Sequence, residues 1–177
     1  LLREQMLVYF TTFGIKRNDI LKAVDQAEKD WTKWGEELRR NNVIALENAR
    51  KKKRMTILLA GRPYHTDPLV QHRISEMIAK LGVEVITEEI ARGGAVVLKS
   101  DTPEAFHIRQ WSYVNRILNA AQWAAEQDND VHFVEMTSFG CGPDAFLTDE
   151  IRSILSRHGK SLTLLKIDDV NNIGSLK

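Results

Sequence analysis

Thr56-Ile57-Leu58-Leu59-Ala60-Gly61-Arg62-Pro63-Tyr64-His65-Thr66-Asp67-Pro68 is the stretch that decides the fold. Thr56 to Ala60 is a short apolar run that stops at a glycine, as a strand buried on both faces does. Asp67 then offers a capping carboxylate just before Pro68, a residue suited to the first position of a helix. Strand, loop and helix start follow one another within thirteen residues.

The same alternation continues downstream. Leu69, Ile74, Met77, Ile78 and Leu81 form a helical apolar stripe, and Gly82 is a natural stop. Val83 to Thr87 reads as a second strand. Residues 88–106 carry little pattern, with Val96-Val97-Leu98 as an extra short strand. A helix from about His107 to Gln127 has Ile108, Trp111, Val114, Leu118, Ala121 and Ala125 along one side. Val131 to Met136 is the third strand. Ala145 to His158 is a helix with Leu147, Ile151, Ile154 and Leu155 facing inward, and Ser161 to Ile167 is the fourth strand.

Strands alternating with helices predict βαβ units with right-handed crossovers. The expected class is α/β: a three-layer, Rossmann-like, mostly parallel sheet in the flavodoxin-like order 2-1-3-4. In that order the first and third strands are neighbours whose following loops part to opposite faces, which opens a ligand crevice. The loops concerned are Gly61 to Asp67 and Thr137 to Asp144.

Upstream, Ile20, Leu21, Val24, Ala27, Trp31, Trp34 and Leu38 recur at helical steps behind a capping Asn18 or Asp19. The rhythm weakens after Asn41-Asn42, where a break is expected. This gives a helical segment over 1–54 that packs on a Rossmann-like domain over 55–177. The basic run Lys51-Lys52-Lys53-Arg54 reads as a solvated helix end, where cations suit the dipole.

Composition excludes several classes. The chain has 177 residues, 43% hydrophobic and 28% charged, with a net charge of +1. No strong field points to nucleic acid or to an anionic membrane. No signal peptide or membrane span is recognisable, and the single cysteine, Cys141, cannot form an internal disulfide. A cytoplasmic location is expected. The chain opens on Leu1 rather than methionine, so it is expected to be part of a larger protein. Neither a Walker motif nor His-Glu-x-x-His, Cys-x-x-Cys or Gly-x-Ser-x-Gly occurs.

Four stretches carry candidate chemistry. Gly61 to Pro68 offers a guanidinium, an imidazole and a phenol in a proline-stiffened turn, fit for an anion or a thioester oxygen. Turn and cap chemistry with His65 as a hydrogen-bonded spacer explains the same residues equally well. Phe139-Gly140-Cys141-Gly142-Pro143-Asp144 places a cysteine between two glycines just before a helix, where the thiolate is favoured. It is open whether that thiolate is a nucleophile or a metal ligand. An iron–sulfur cluster needs three or four protein ligands, so one cysteine cannot complete it. Lys166 to Gly174 is a polar loop at the same sheet edge that reads best as a turn. Trp111 and Asn115 share a helix face, which packing and solvation largely explain.

Taken together, Ile57 to Pro68, Trp111 with Tyr113, Asn115 and Arg116, Ser138 to Asp144, and Leu165 to Asp168 with Asn171, Asn172 and Gly174 resemble one family. It comprises the large bacterial proteins related to 2-hydroxyacyl-CoA dehydratases and their ATP-dependent, CoA-substrate-specific enzyme activases. The resemblance runs from about Asp19 to the C-terminus. It implies an iron–sulfur lyase or reductase component in low-potential electron transfer, driven by an ATPase (activase) module in the same chain or a separate subunit. It further implies a CoA-thioester substrate. Cys141 matches the family's cluster-ligating cysteine, with Gly140 and Gly142 beside the cofactor, a [4Fe-4S]-type cluster in the full-length protein. Arg62, His65 and Asn115 are the accompanying candidates for catalytic or substrate contacts. This chain lacks the ATPase phosphate motifs, so alone it is expected to be inactive and to bind neither ATP nor a stable cluster. The competing expectations are a docking or dimerisation domain with Cys141 structural, and a thiol-based enzyme. Neither nucleic acid nor membrane is an expected partner; a homo-oligomer is compatible with the pattern.

Overall fold

The computed structural model describes residues 1–66, 73–92, 111–137 and 142–167. Its elements are α1 (Leu2–Thr11), α2 (Arg17–Lys51), β1 (Thr56–Ala60), α3 (Pro63–Thr66), α4 (Ile74–Ala79), β2 (Glu84–Thr87), a 3-10 turn (Glu88–Ala91), α5 (Ser112–Ala125), β3 (Val131–Thr137), α6 (Gly142–Arg157) and β4 (Thr163–Lys166). The chain divides into two compact units, Leu1–Leu38 and Arg39–Lys177.

The second unit holds a four-stranded, all-parallel sheet in the order β2-β1-β3-β4, as the alternation predicted. Side chains alternate between its faces. Leu58 and Ala60 of β1 and Val131 and Phe133 of β3 point into a core shared with Leu46, Ile90, Val114, Leu118, Leu147 and Ile151. Leu59, Val134 and Met136 point the other way, toward Ile78 of α4. Helical elements therefore cover both faces, as in a Rossmann-like three-layer fold. Each large aliphatic side chain buried in this way contributes about 1.5–3 kcal/mol.

Local chemistry fixes the ends of the elements. Lys160 Nζ donates to the carbonyls of Ala124 and Asp128 at 2.7 and 2.9 Å, closing the C-terminal end of α5. Asn42 Oδ1 accepts the backbone N–H of Thr87 at 2.7 Å and so ties α2 to the end of β2. Lys51 to Arg54 is an exposed helix end, as its charge suggests.

The structure departs from expectation in several places. α2 runs without a break through Asn41 and Asn42. Asn42 is held by its bond to Thr87, and Val43, Leu46 and Ala49 keep packing the far half of the helix. Trp31 and Trp34, expected on a buried stripe, are 60% and 48% exposed and stack on each other with centroids 5.3 Å apart. Trp111, also placed on a stripe, precedes α5 and is exposed. α4 ends at Ala79, leaving Leu81 exposed beside Gly82, whose φ of +85° turns the chain into β2. α6 begins at Gly142, three residues before the expected start at Ala145. The expected cap at Asp67-Pro68, the strand at Val96 to Leu98 and the loop after Ile167 lie outside the described residues.

Candidate functional site

The order 2-1-3-4 puts the carboxyl ends of β1 and β3 side by side, with Ala60 opposite Glu135 in register. From there the chain parts. β1 leads through α3 toward the face that α4 covers, while β3 leads to α6 on the opposite face. This is the switch point where open α/β sheets bind ligands.

Two sequence candidates meet here. Arg62 Nε donates to Asp144 Oδ1 at 3.0 Å, and a second guanidinium nitrogen bonds the same oxygen. Arg62 follows β1 and Asp144 lies in the first turn of α6, so the ion pair links the two diverging walls. The Arg62 backbone N–H donates to His65 Nδ1 at 3.1 Å. That bond requires Nδ1 to be unprotonated, which assigns the neutral Nε2–H tautomer. Burial lowers the His65 pKa, the Asp144 charge opposes this, and Arg62 adds to the lowering. The imidazole is 2% exposed and lies over Gly61, where a Cβ would stand 2.9 Å from Nδ1 and 3.1 Å from the Met136 carbonyl oxygen. Gly61 is required by this close approach.

Asn115 lies half-buried in the first turn of α5, next in sequence to Arg116. Gly142 opens α6; its φ is ordinary, and no described atom lies within 4 Å of where its Cβ would stand. Its glycine character therefore serves neither a positive φ nor a close packing contact among the described residues. Cys141 and Gly140 lie outside those residues, in the four-residue segment 138–141 that joins β3 to α6.

Sequence reasoning missed the buried carboxylates. Glu135 is 2% exposed and takes the next inward position after Val131 and Phe133. Its Oε2 accepts a hydrogen bond from Thr148 Oγ1 of α6 at 3.0 Å. Burial pushes its carboxyl up to about 7; the Thr148 bond opposes this, the Asp144 charge adds to it, and Arg152 opposes it. The signal was present, because period-two alternation over Val131 to Met136 puts a glutamate on the core face. Asp144 is 6% exposed, and its Oδ2 has no hydrogen-bond partner among the described residues.

A second cluster follows β2. Glu88 and Glu89 are both buried, Arg116 bonds both, and Arg92 pairs with Glu89. Burial raises the Glu88 pKa, while its own backbone N–H, Arg116 and Arg92 oppose the shift and Glu89 reinforces it. Paired glutamates just after a strand read as solvent-facing, so no sequence signal revealed them. A groove of about 550 Å³ lies between α1 and α2, lined by Arg3, Asp25, Glu28, Lys29, Thr32, Lys33 and Glu36. Arg3 pairs there with Asp25 and Glu28, and the groove holds none of the buried groups described above.

The family described as the CoA enzyme activase uncharacterised domain (DUF2229) matches residues 1–90. The chain belongs to that family. Neither a curated protein nor a solved structure matches it. The activase-family match takes in α1, α2, β1, α3, α4 and β2, and thus the strand and loop that carry Arg62 and His65. No described helix is long and apolar enough to cross a membrane.

The resemblance to dehydratases raises the matter of an iron–sulfur cluster. Among the described residues no group of three or more His, Cys, Asp or Glu is arranged to hold a metal ion. The chain has one cysteine, and a cluster takes three or four protein ligands. His65 Nδ1 is engaged by Arg62, and Asp144 by the Arg62 guanidinium. The described residues of this activase-family chain do not fit a cluster site, and the one thiol in the sequence is Cys141.

Proposed function

We propose that this chain is a dehydratase-like domain of a CoA enzyme activase-related protein, and that its switch-point edge forms one wall of a cleft for a CoA-thioester substrate. In this reading Cys141 supplies one thiolate to an iron–sulfur cluster whose other ligands come from elsewhere, in ATP-driven low-potential electron transfer. The partner is an ATPase module acting with a CoA enzyme.

One observation carries the reading. The Arg62–Asp144 pair, with His65 against Gly61, stands where the loops after β1 and β3 diverge. The Cys141 segment is covalently bounded by the last residue of β3 and the first of α6. A guanidinium at a switch point suits the anionic groups of a CoA thioester by its charge, two of its nitrogens being engaged by Asp144.

A second reading, a docking domain with Cys141 structural, draws on the first unit. Leu2, Val8, Tyr9 and Phe13 are each more than half exposed there, and exposed apolar groups of this kind mark interaction surfaces. Anaerobic iron–sulfur reconstitution of the full-length protein, with and without Cys141→Ala, separates the two. Lost iron or an altered electron paramagnetic resonance signal in the variant supports the cluster reading. An unchanged cluster sinks it and leaves docking ahead.

A further inference from the structure

α6 is fastened to the sheet by two polar contacts on one of its faces. Asp144 and Thr148 are four residues apart and therefore stacked one turn above the other. Asp144 binds Arg62 from the loop after β1, and Thr148 binds Glu135 within β3. The two sheet neighbours of Glu135 are apolar, Ala60 on β1 and Leu164 on β4. Among the described residues, the groups that act on its carboxyl come from α6: Thr148 directly, Asp144 and Arg152 through their charges. Arg152 is held at the surface by Asp149, 60% exposed. Arg62 and His65 face Asp144 rather than Glu135.

We propose that Glu135 is a positioning residue whose proton governs how firmly the first two turns of α6 are held to the sheet, and through Asp144 where Arg62 stands. With the proton on, the pocket holds one carboxylate, Asp144, already paired with its guanidinium. With the proton off, a second buried anion faces the first. Among the described residues Thr148 alone hydrogen-bonds it, and Asp144 Oδ2 already lacks a partner. A buried carboxylate in that position recovers hydration only if the helix lifts. Its consequence for Arg62 rests on the switch-point reading above, but the tethers themselves do not. The test below reads Glu135, whereas iron content reads Cys141, so the two ideas fail separately.

The sign follows from the carboxyl being pushed up to about 7 while α6 is docked. The lifted state, with Glu135 hydrated near the ordinary carboxylate range, binds fewer protons at intermediate pH. Opening therefore becomes easier as pH rises, by roughly tenfold per unit, and levels off above about 7. The experiment is amide hydrogen exchange on the intact protein, with protection factors followed from pH 5 to pH 8. Amides of residues 145–150 should be less protected than those of α5 at each pH. Their protection should fall about fortyfold between pH 5 and pH 7. Glu135→Gln, which keeps an acceptor for Thr148, should abolish that fall. Thr148→Val removes a donor that favours the anion and should move the levelling above pH 7. A pH-independent α6 end in the wild type, an undiminished slope in Glu135→Gln, or an unmoved levelling in Thr148→Val would each overturn the proposal.

Discussion

Replacing Gly61 by alanine tests how the switch point is packed. The new methyl would stand 2.9 Å from His65 Nδ1, 3.0 Å from His65 Cβ and 3.1 Å from the Met136 carbonyl oxygen. The last of these belongs to the neighbouring strand and cannot turn aside. The imidazole, 2% exposed, has little room to retreat. Overpacking of this kind costs about 1–3 kcal/mol. If the ring shifts, the Arg62 N–H loses its acceptor, adding about 1 kcal/mol. The expected loss is about 2–4 kcal/mol. With a urea slope near 2 kcal/mol/M, the unfolding midpoint should fall by about 1–2 M. In a His65→Gly background both His65 contacts are gone and the Met136 carbonyl oxygen at 3.1 Å remains, so Gly61→Ala should cost about 1 kcal/mol there, a coupling of about 1–3 kcal/mol. A loss within about 0.5 kcal/mol in the wild type, or equal losses in both backgrounds, would refute the packing argument.

Two further outcomes follow from the charges. Glu135 binds its proton more tightly folded than unfolded, so it favours the folded state below about pH 4.5 and loses that contribution as pH rises through about 7. Glu135→Gln should therefore stabilise the protein at pH 8 by up to about 3 kcal/mol and by much less at pH 5, measured by chemical unfolding; equal effects at both values would contradict the burial. Arg62→Ala strands the Asp144 carboxylate, whose side chain is 8% exposed, while Arg62 itself is 33% exposed. The expected cost is about 2 kcal/mol, below the ~3–5 kcal/mol of a fully buried pair because solvent screens the guanidinium. Adding Asp144→Asn should recover part of it in thermal unfolding, and no recovery would mean that Arg62 acts through packing instead.

Much of the architecture was legible because its signals are local. The strand at Thr56 to Ala60, the inward face of α6 and the strand order follow from side-chain period, glycine stops and crossover handedness. Where reading failed, the missing information was distant. Asn42 looked like a helix break because its partner, the Thr87 N–H, is 45 residues away. Trp31 and Trp34 sit at helical spacing, yet spacing alone does not say which face finds a core. The site was half legible. Arg62 and His65 stood out as unusual residues in an unusual turn, and a hydrogen-bonded His65 was one of the two readings there, but the ion pair of Arg62 with Asp144 was not legible.

By itself, then, the sequence determined the class of fold, the edge of the sheet that carries polar loops, and the presence of one thiol next to α6. Those depend on neighbours within a few turns of chain. The tertiary structure alone decided that Arg62 meets Asp144 across 82 residues, that Glu135 is enclosed between Ala60 and Leu164, and that Glu88 and Glu89 are buried with Arg116. Burial and charge pairing are properties of what surrounds a group in space, and only the closed sheet with its helices brings those surroundings together.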